Sequence, residues 1–134
     1  NKKSMIKNKG NYIDGFVFLV PKKNLKAYHI MAKEGGKIWM DCGALEYKEC
    51  VGEDMRNAGV GGMKGLTFPK LTSAGKGDTV WFSFITYKSR AHRDQVNKKV
   101  MAEMKKQADK YKDMKMPFDI SKMAYGGFKV EVGY

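Results

Sequence analysis

Stretches of this chain with apolar side chains on alternating positions are interleaved with stretches that carry them at helical spacing. Residues 12–20 are rich in Val, Phe, Ile and Leu and stop at Pro21, which predicts a first strand ended by proline. Leu25, Tyr28, Ala32 and Trp39 then recur at helical spacing and predict a first helix. Gly35-Gly36 falls inside it and either ends or kinks it, so that Ile38 to Cys42 resumes the helix or leads into a turn at Gly43. Residues 44–51 alternate as a second strand, with Leu45, Tyr47, Glu49 and Val51 on one face and Glu46, Lys48 and Cys50 on the other. Residues 52–77 hold seven of the fifteen glycines and predict a long, mobile loop. TVWFSFITY at 79–87 is the strongest strand signal, apolar on both faces. Ser89 then opens a long helix whose stripe is Val96, Val100, Met104, Ala108 and Tyr111, with a break expected near Asp109. Pro117 stops it, and residues 123–132 predict a last strand.

The order βαββαβ defines an α+β class with ferredoxin-like topology: a four-stranded antiparallel sheet carrying both helices on one face. The other face is ordinarily solvated, yet here neither face is polar. The first strand turns Ile13, Gly15, Val17 and Leu19 one way and Tyr12, Asp14, Phe16 and Phe18 the other. The third turns Val80, Phe82 and Phe84 against Trp81, Ser83, Ile85 and Tyr87. Helices on one side leave aromatic rings in water on the other, which predicts a homodimer closed sheet to sheet as a dimeric α/β barrel. On this scheme Phe128, Val130 and Val132 face the helices, while Tyr125 and Gly127 face the partner's sheet.

With 134 residues, 43% of them hydrophobic, the chain is sized for one domain, expected over residues 11–134 behind a polar, flexible tail at 1–10. No apolar run approaches the roughly 20 residues of a membrane helix, and two cysteines are too few for a disulfide scaffold. These points predict a cytoplasmic protein with no membrane partner. The formal charge of +12 is uneven: residues 1–37 hold nine lysines against two acids, and residues 88–115 hold ten bases against four. The excess therefore falls on the tail and the helices, where lysines are usually solvated surface, and this argues against nucleic acid as the main partner.

Asp14 is the first candidate for chemistry, because a carboxylate among Tyr12, Phe16 and Phe18 must be hydrated, hydrogen-bonded or shifted in pKa. It reads either as a general base or substrate anchor, or as an aspartate satisfied by backbone or tyrosine donors. Glu49, Trp81, Ser83, Tyr87 and Tyr125 join it as candidate ligand-binding residues of a polar-aromatic cavity, with core or interface packing as their plainer role. His29 and His92 have no HxxxH, HxH or CxxC spacing beside them, so neither a metal nor another cofactor is expected. NAGVGGMKG at 57–65 lacks the register of a phosphate-binding loop.

Four segments carry a family resemblance: YIDGFVFLVP at 12–21, GALEYKEC at 43–50, VWFSFITYKSRAHRDQVNKKVM at 80–101 and MPFDISKMAYGGFKV at 116–130. Together they resemble the YbaA-like proteins, a family of unknown function. The resemblance implies a ferredoxin-like subunit of a dimeric α/β barrel and no particular reaction, and it matches Asp14, Arg93 and Asp94 to the family pattern. Related architectures include cofactor-free monooxygenases, lyases, haem-binding enzymes and ligand-binding modules, so whether the chain is an enzyme stays open. Three functions remain: a homodimer holding an unidentified small apolar or aromatic molecule in its barrel cavity; a cofactor-independent monooxygenase- or lyase-like enzyme using Asp14; and RNA association through Lys105, Lys106, Lys110, Lys112 and Lys115.

Overall fold

A computed structural model of the protein describes residues 10–56, 61 and 64–134. Four strands form one antiparallel sheet: β1 (Tyr12–Pro21), β2 (Glu46–Val51), β3 (Asp78–Tyr87) and β4 (Ala124–Lys129), in the spatial order β2-β3-β1-β4. The two long strands sit in the middle, where β-branched and aromatic residues on both faces are best covered. The helices are α1 (Leu25–Asp41), α2 (Phe68–Thr72), α3 (Arg90–Lys106) and α4 (Ala108–Tyr111), which makes an α+β domain. The expected tail lies almost wholly outside the described residues, as does most of NAGVGGMKG.

Strand register sorts the side chains into rows. Glu49, Ser83, Phe16 and Tyr125 are successive neighbours across the four strands, and the next row is Tyr47, Ile85, Asp14 and Gly127. Period-two alternation puts both rows on one face, and that face meets α1 and α3. Phe18, Val20, Tyr28, Trp81 and Phe118 form one buried cluster there, and Ala44, Ile85, Tyr87, Val96 and Val100 form a second.

Three expectations change. The glycine pair neither ends nor breaks α1, which runs on to Asp41. Instead Tyr47 packs flat beneath it: a Cβ at Gly36 would lie 3.0 Å from two ring carbons of Tyr47. Glycine is needed there for close approach, and the roughly 1 kcal/mol of lost helix propensity is borne by that packing. Next, β4 is turned the other way from expected. Tyr125 and Gly127 share rows with Phe16 and Asp14 and face the helices, while Phe128 pairs with Ile13 on the opposite face. Apolar bulk is a poor guide where a glycine makes room: a Cβ at Gly127 would overlap the Tyr12 hydroxyl. Val130 and Val132 lie beyond the end of the strand.

The third change is in the 52–77 segment, which contains the short helix α2, capped by the Thr67 hydroxyl on Lys70 N–H and closed by Ser73 in the left-handed region at φ 56°. It folds back over one end of the sheet face that the long helices leave open, where Leu19 and Val80 are buried and Met55 and Phe68 stand beside Val80. The break expected near Asp109 falls at Gln107, between α3 and α4. Ser89 caps α3, accepting from His92 N–H. Both cysteines are free, Cys42 half-buried and Cys50 exposed on the open face. No helix among the described residues is long and apolar enough to cross a membrane.

Candidate functional site

The helix-facing rows bring all six sequence candidates to one face, but they split into two polar networks. The first is built on Asp14, 2% exposed near the start of β1. Arg93, in the first turn of α3, reaches down to it with Nη1 donating to Asp14 Oδ1 at 3.1 Å. The same nitrogen donates to the Tyr125 hydroxyl at 2.8 Å, and Nη2 donates to the Tyr12 hydroxyl at 3.3 Å with the guanidinium over the Tyr12 ring. Asp94 flanks the guanidinium, its Oδ1 2.9 Å from Nε, but that N–H does not point at it. Tyr87 lies beneath, taking a hydrogen bond from Trp39 Nε1 at 3.2 Å.

Burial raises the Asp14 pKa above its ordinary 3.8, and the Arg93 charge and the Tyr125 and Tyr87 hydroxyls only partly offset this. The Tyr87 and Tyr125 phenols are pushed up, first by burial and then by the Asp14 charge, so they remain neutral donors at physiological pH. A carboxyl that holds its proton more tightly when folded contributes stability below about 3.8, and that contribution is lost as pH rises through the raised native value. Denaturant titrations from pH 3 to 7 should therefore find Asp14→Asn gaining on the wild type as pH rises over that window. The opposite slope would mean that the Arg93 pair outweighs desolvation.

The second network is centred on Glu49. Its carboxylate accepts from the Tyr28 hydroxyl at 2.8 and 2.9 Å, from the Tyr47 hydroxyl at 2.6 Å, and from Ser83 Oγ. Ser83 is the cross-strand neighbour of Glu49, Tyr47 lies two residues before it on the same face, and Tyr28 comes down from α1. Burial raises both phenol pKa values far above the ordinary tyrosine value, with the Glu49 charge adding to the shift. Trp81 sits next to this network, its ring edge-on to Tyr28 at 4.9 Å and its Nε1 donating to Thr79.

Glu49 and Tyr47 line two cavities. One, of about 590 Å³, runs between α1, the start of α4 and the methionine-rich segment after it, with walls of Tyr28, Trp39, Met104, Met116 and Phe118. The other, of about 640 Å³, lies on the outer side of α1 beside Trp81 and Val51. Asp14, Tyr87 and Tyr125 line neither. The structure thus joins Glu49 to Ser83 and Trp81, separates them from Asp14, Tyr87 and Tyr125, and adds Tyr28, Tyr47 and Arg93. Tyr28 was visible in the sequence only as a member of a helical stripe. Arg93 was legible as a matched position, but its descent onto Asp14 needs the crossing of α3 over β1. No group of three or more His, Cys, Asp or Glu among the described residues is arranged to hold a metal ion.

A four-stranded antiparallel sheet carrying a hydroxyl-ringed carboxylate beside an apolar cavity describes the class of domain. Residues 11–120 match the family described as "Protein of unknown function (DUF1428)", and the chain belongs to that family. It is 35% identical over 120 residues to the proteins named "Uncharacterized protein YbaA" of Escherichia coli strain K12, of Escherichia coli O157:H7 and of Shigella flexneri, covering 88% of this chain and 94% of each relative.

Proposed function

We propose that this protein binds a small apolar or aromatic molecule in the cavity beside Glu49, and that it does so as a homodimer of ferredoxin-like subunits whose open sheet faces meet. The observation that carries the binding reading is the cavity itself: about 590 Å³, walled by aromatic rings and methionine side chains, with a fixed carboxylate in its lining. Methionines at 104, 114 and 116 suit it to an adaptable apolar guest. The strand order β2-β3-β1-β4 and the helices on one face support the ferredoxin-like assignment. The dimer rests on the open face, where Phe82 is 47% and Phe128 60% exposed. The ligand site of this proposal lies between sheet and helices rather than between two sheets.

The enzyme reading built on Asp14 has less support, because Asp14 is closed in by Arg93 and two tyrosines and lines neither Glu49 cavity. The RNA reading loses two of its five lysines to Glu103 and Glu34, which lie 4.0 Å from Lys106 and 3.6 Å from Lys110. A thermal-shift panel of small aromatic compounds tests the binding reading. A ligand at ten times its Kd should raise the wild-type Tm by roughly 3 °C or more. Ala108→Trp, which puts an indole into the mouth of the cavity, should abolish that shift. No shift across the panel would overturn the reading.

A further inference from the structure

We infer that the ligand of the Glu49 cavity is an organic cation: an ammonium group on an aromatic or apolar body. The inference rests on the cavity being a binding site and adds the charge of what it binds. Glu49 is the reason. Its carboxylate is ringed by three hydroxyls, and among the described residues no lysine, arginine or histidine lies within ion-pair distance of it, in a chain with 26 lysines and arginines and a charge of +12. Lys37, beside the outer cavity, pairs with Asp41 instead at 3.1 Å.

Counting acceptor sites points the same way. A carboxylate offers about four lone-pair directions, and Tyr28, Tyr47 and Ser83 supply one hydrogen each, the Tyr28 hydroxyl being shared between both oxygens. Three neutral hydrogens thus serve four acceptor directions, and none of them brings a positive charge to the carboxylate. The rings of Tyr28, Trp39, Tyr47 and Phe118 also line the cavity, where a cation over an aromatic face gains about 0.5–2 kcal/mol, and the other two charged residues of the lining, Glu34 and Lys112, are of opposite sign. A carboxylate or phosphate ligand would bring like charge to Glu49.

Three indoles whose short side chain at C3 ends in a positive charge, no charge or a negative charge decide it by calorimetry on the wild-type protein: tryptamine, 3-ethylindole and indole-3-acetate. The expected order is tryptamine tighter than 3-ethylindole by roughly tenfold or more, the scale of a charge-assisted hydrogen bond, with indole-3-acetate weakest. Glu49→Gln, checked for native circular dichroism, should bring tryptamine to within about threefold of 3-ethylindole. If 3-ethylindole or indole-3-acetate binds as well as tryptamine, the cation is wrong and the cavity reading stands. If none of the three binds, both fall.

Discussion

Phe18→Ala should lower the stability of this protein by about 3–5 kcal/mol, the scale measured for truncating a buried phenylalanine. Phe18 is 1% exposed and is the hub of one of the two core clusters: its ring centre lies 5.4 Å from Tyr28, 5.4 Å from Phe118 and 6.3 Å from Trp81. Those three rings belong to α1, the segment after α4, and β3, so one side chain ties three parts of the chain together. Its neighbours are themselves large and mutually packed, Tyr28 edge-on to Phe118 at 5.6 Å, so the space cannot close by a small shift. A domain of this size has roughly 5–15 kcal/mol in all, and the variant should lose a large part of it. Guanidinium unfolding followed by tryptophan fluorescence reads the loss as a fall in midpoint at constant m. Because Tyr28 also donates to Glu49, tryptamine affinity should fall at temperatures where the variant is still folded. A loss below about 1 kcal/mol would show that the cluster closes around the gap.

The strands and long helices were legible because their signals are local. Two-sided apolar runs at 12–20 and 79–87, a proline stop and a serine cap each act within a few residues of where they stand. What was not legible depends on partners far along the chain. Gly35-Gly36 has the composition of a helix end, and only the Tyr47 ring beneath it explains why the helix continues. Gly127 has no side chain to declare a face, so apolar bulk assigned β4 the wrong way round. The site shows the same division. Glu49 and Ser83 were candidates by residue type and face, but Tyr28 and Tyr47 read as core stripes until their hydroxyls meet one carboxylate. Asp14 stood out in the sequence as a carboxylate among aromatic residues that needed a partner. Its partner came from 79 residues away, with tyrosine hydroxyls completing the network.

The open sheet face carries the second large effect. Phe82 and Phe84 stand on β3 with ring centres 6.0 Å apart, and the Phe128 ring lies over Gly15 and Gly126, which have no side chains to hold it off. Ile13, Val17 and Ala124 fill the same surface, while its polar groups collect toward β2, where Glu46 takes a bond from Thr86 and lies 3.8 Å from Lys48. A face apolar in the middle and charged along one margin is suited to a second copy of itself, since a two-fold axis brings apolar centre onto apolar centre. Phe82→Asp with Phe128→Asp should separate the copies. In the proposed two-fold dimer the two substitutions remove four rings, two from each copy, and at about 2 kcal/mol for each ring the dimer Kd should rise by roughly a hundred-thousandfold or more. Neither side chain contributes to the two clusters under the helices, so the variant should keep its circular dichroism while sedimenting as a monomer of half the wild-type mass. The same variant separates assembly from ligand binding. The Glu49 cavity is lined by this chain's own α1, β2 and α4, so a folded monomer should still bind tryptamine. A wild-type chain that sediments as a monomer at tens of micromolar would remove the dimer and leave the cavity untouched.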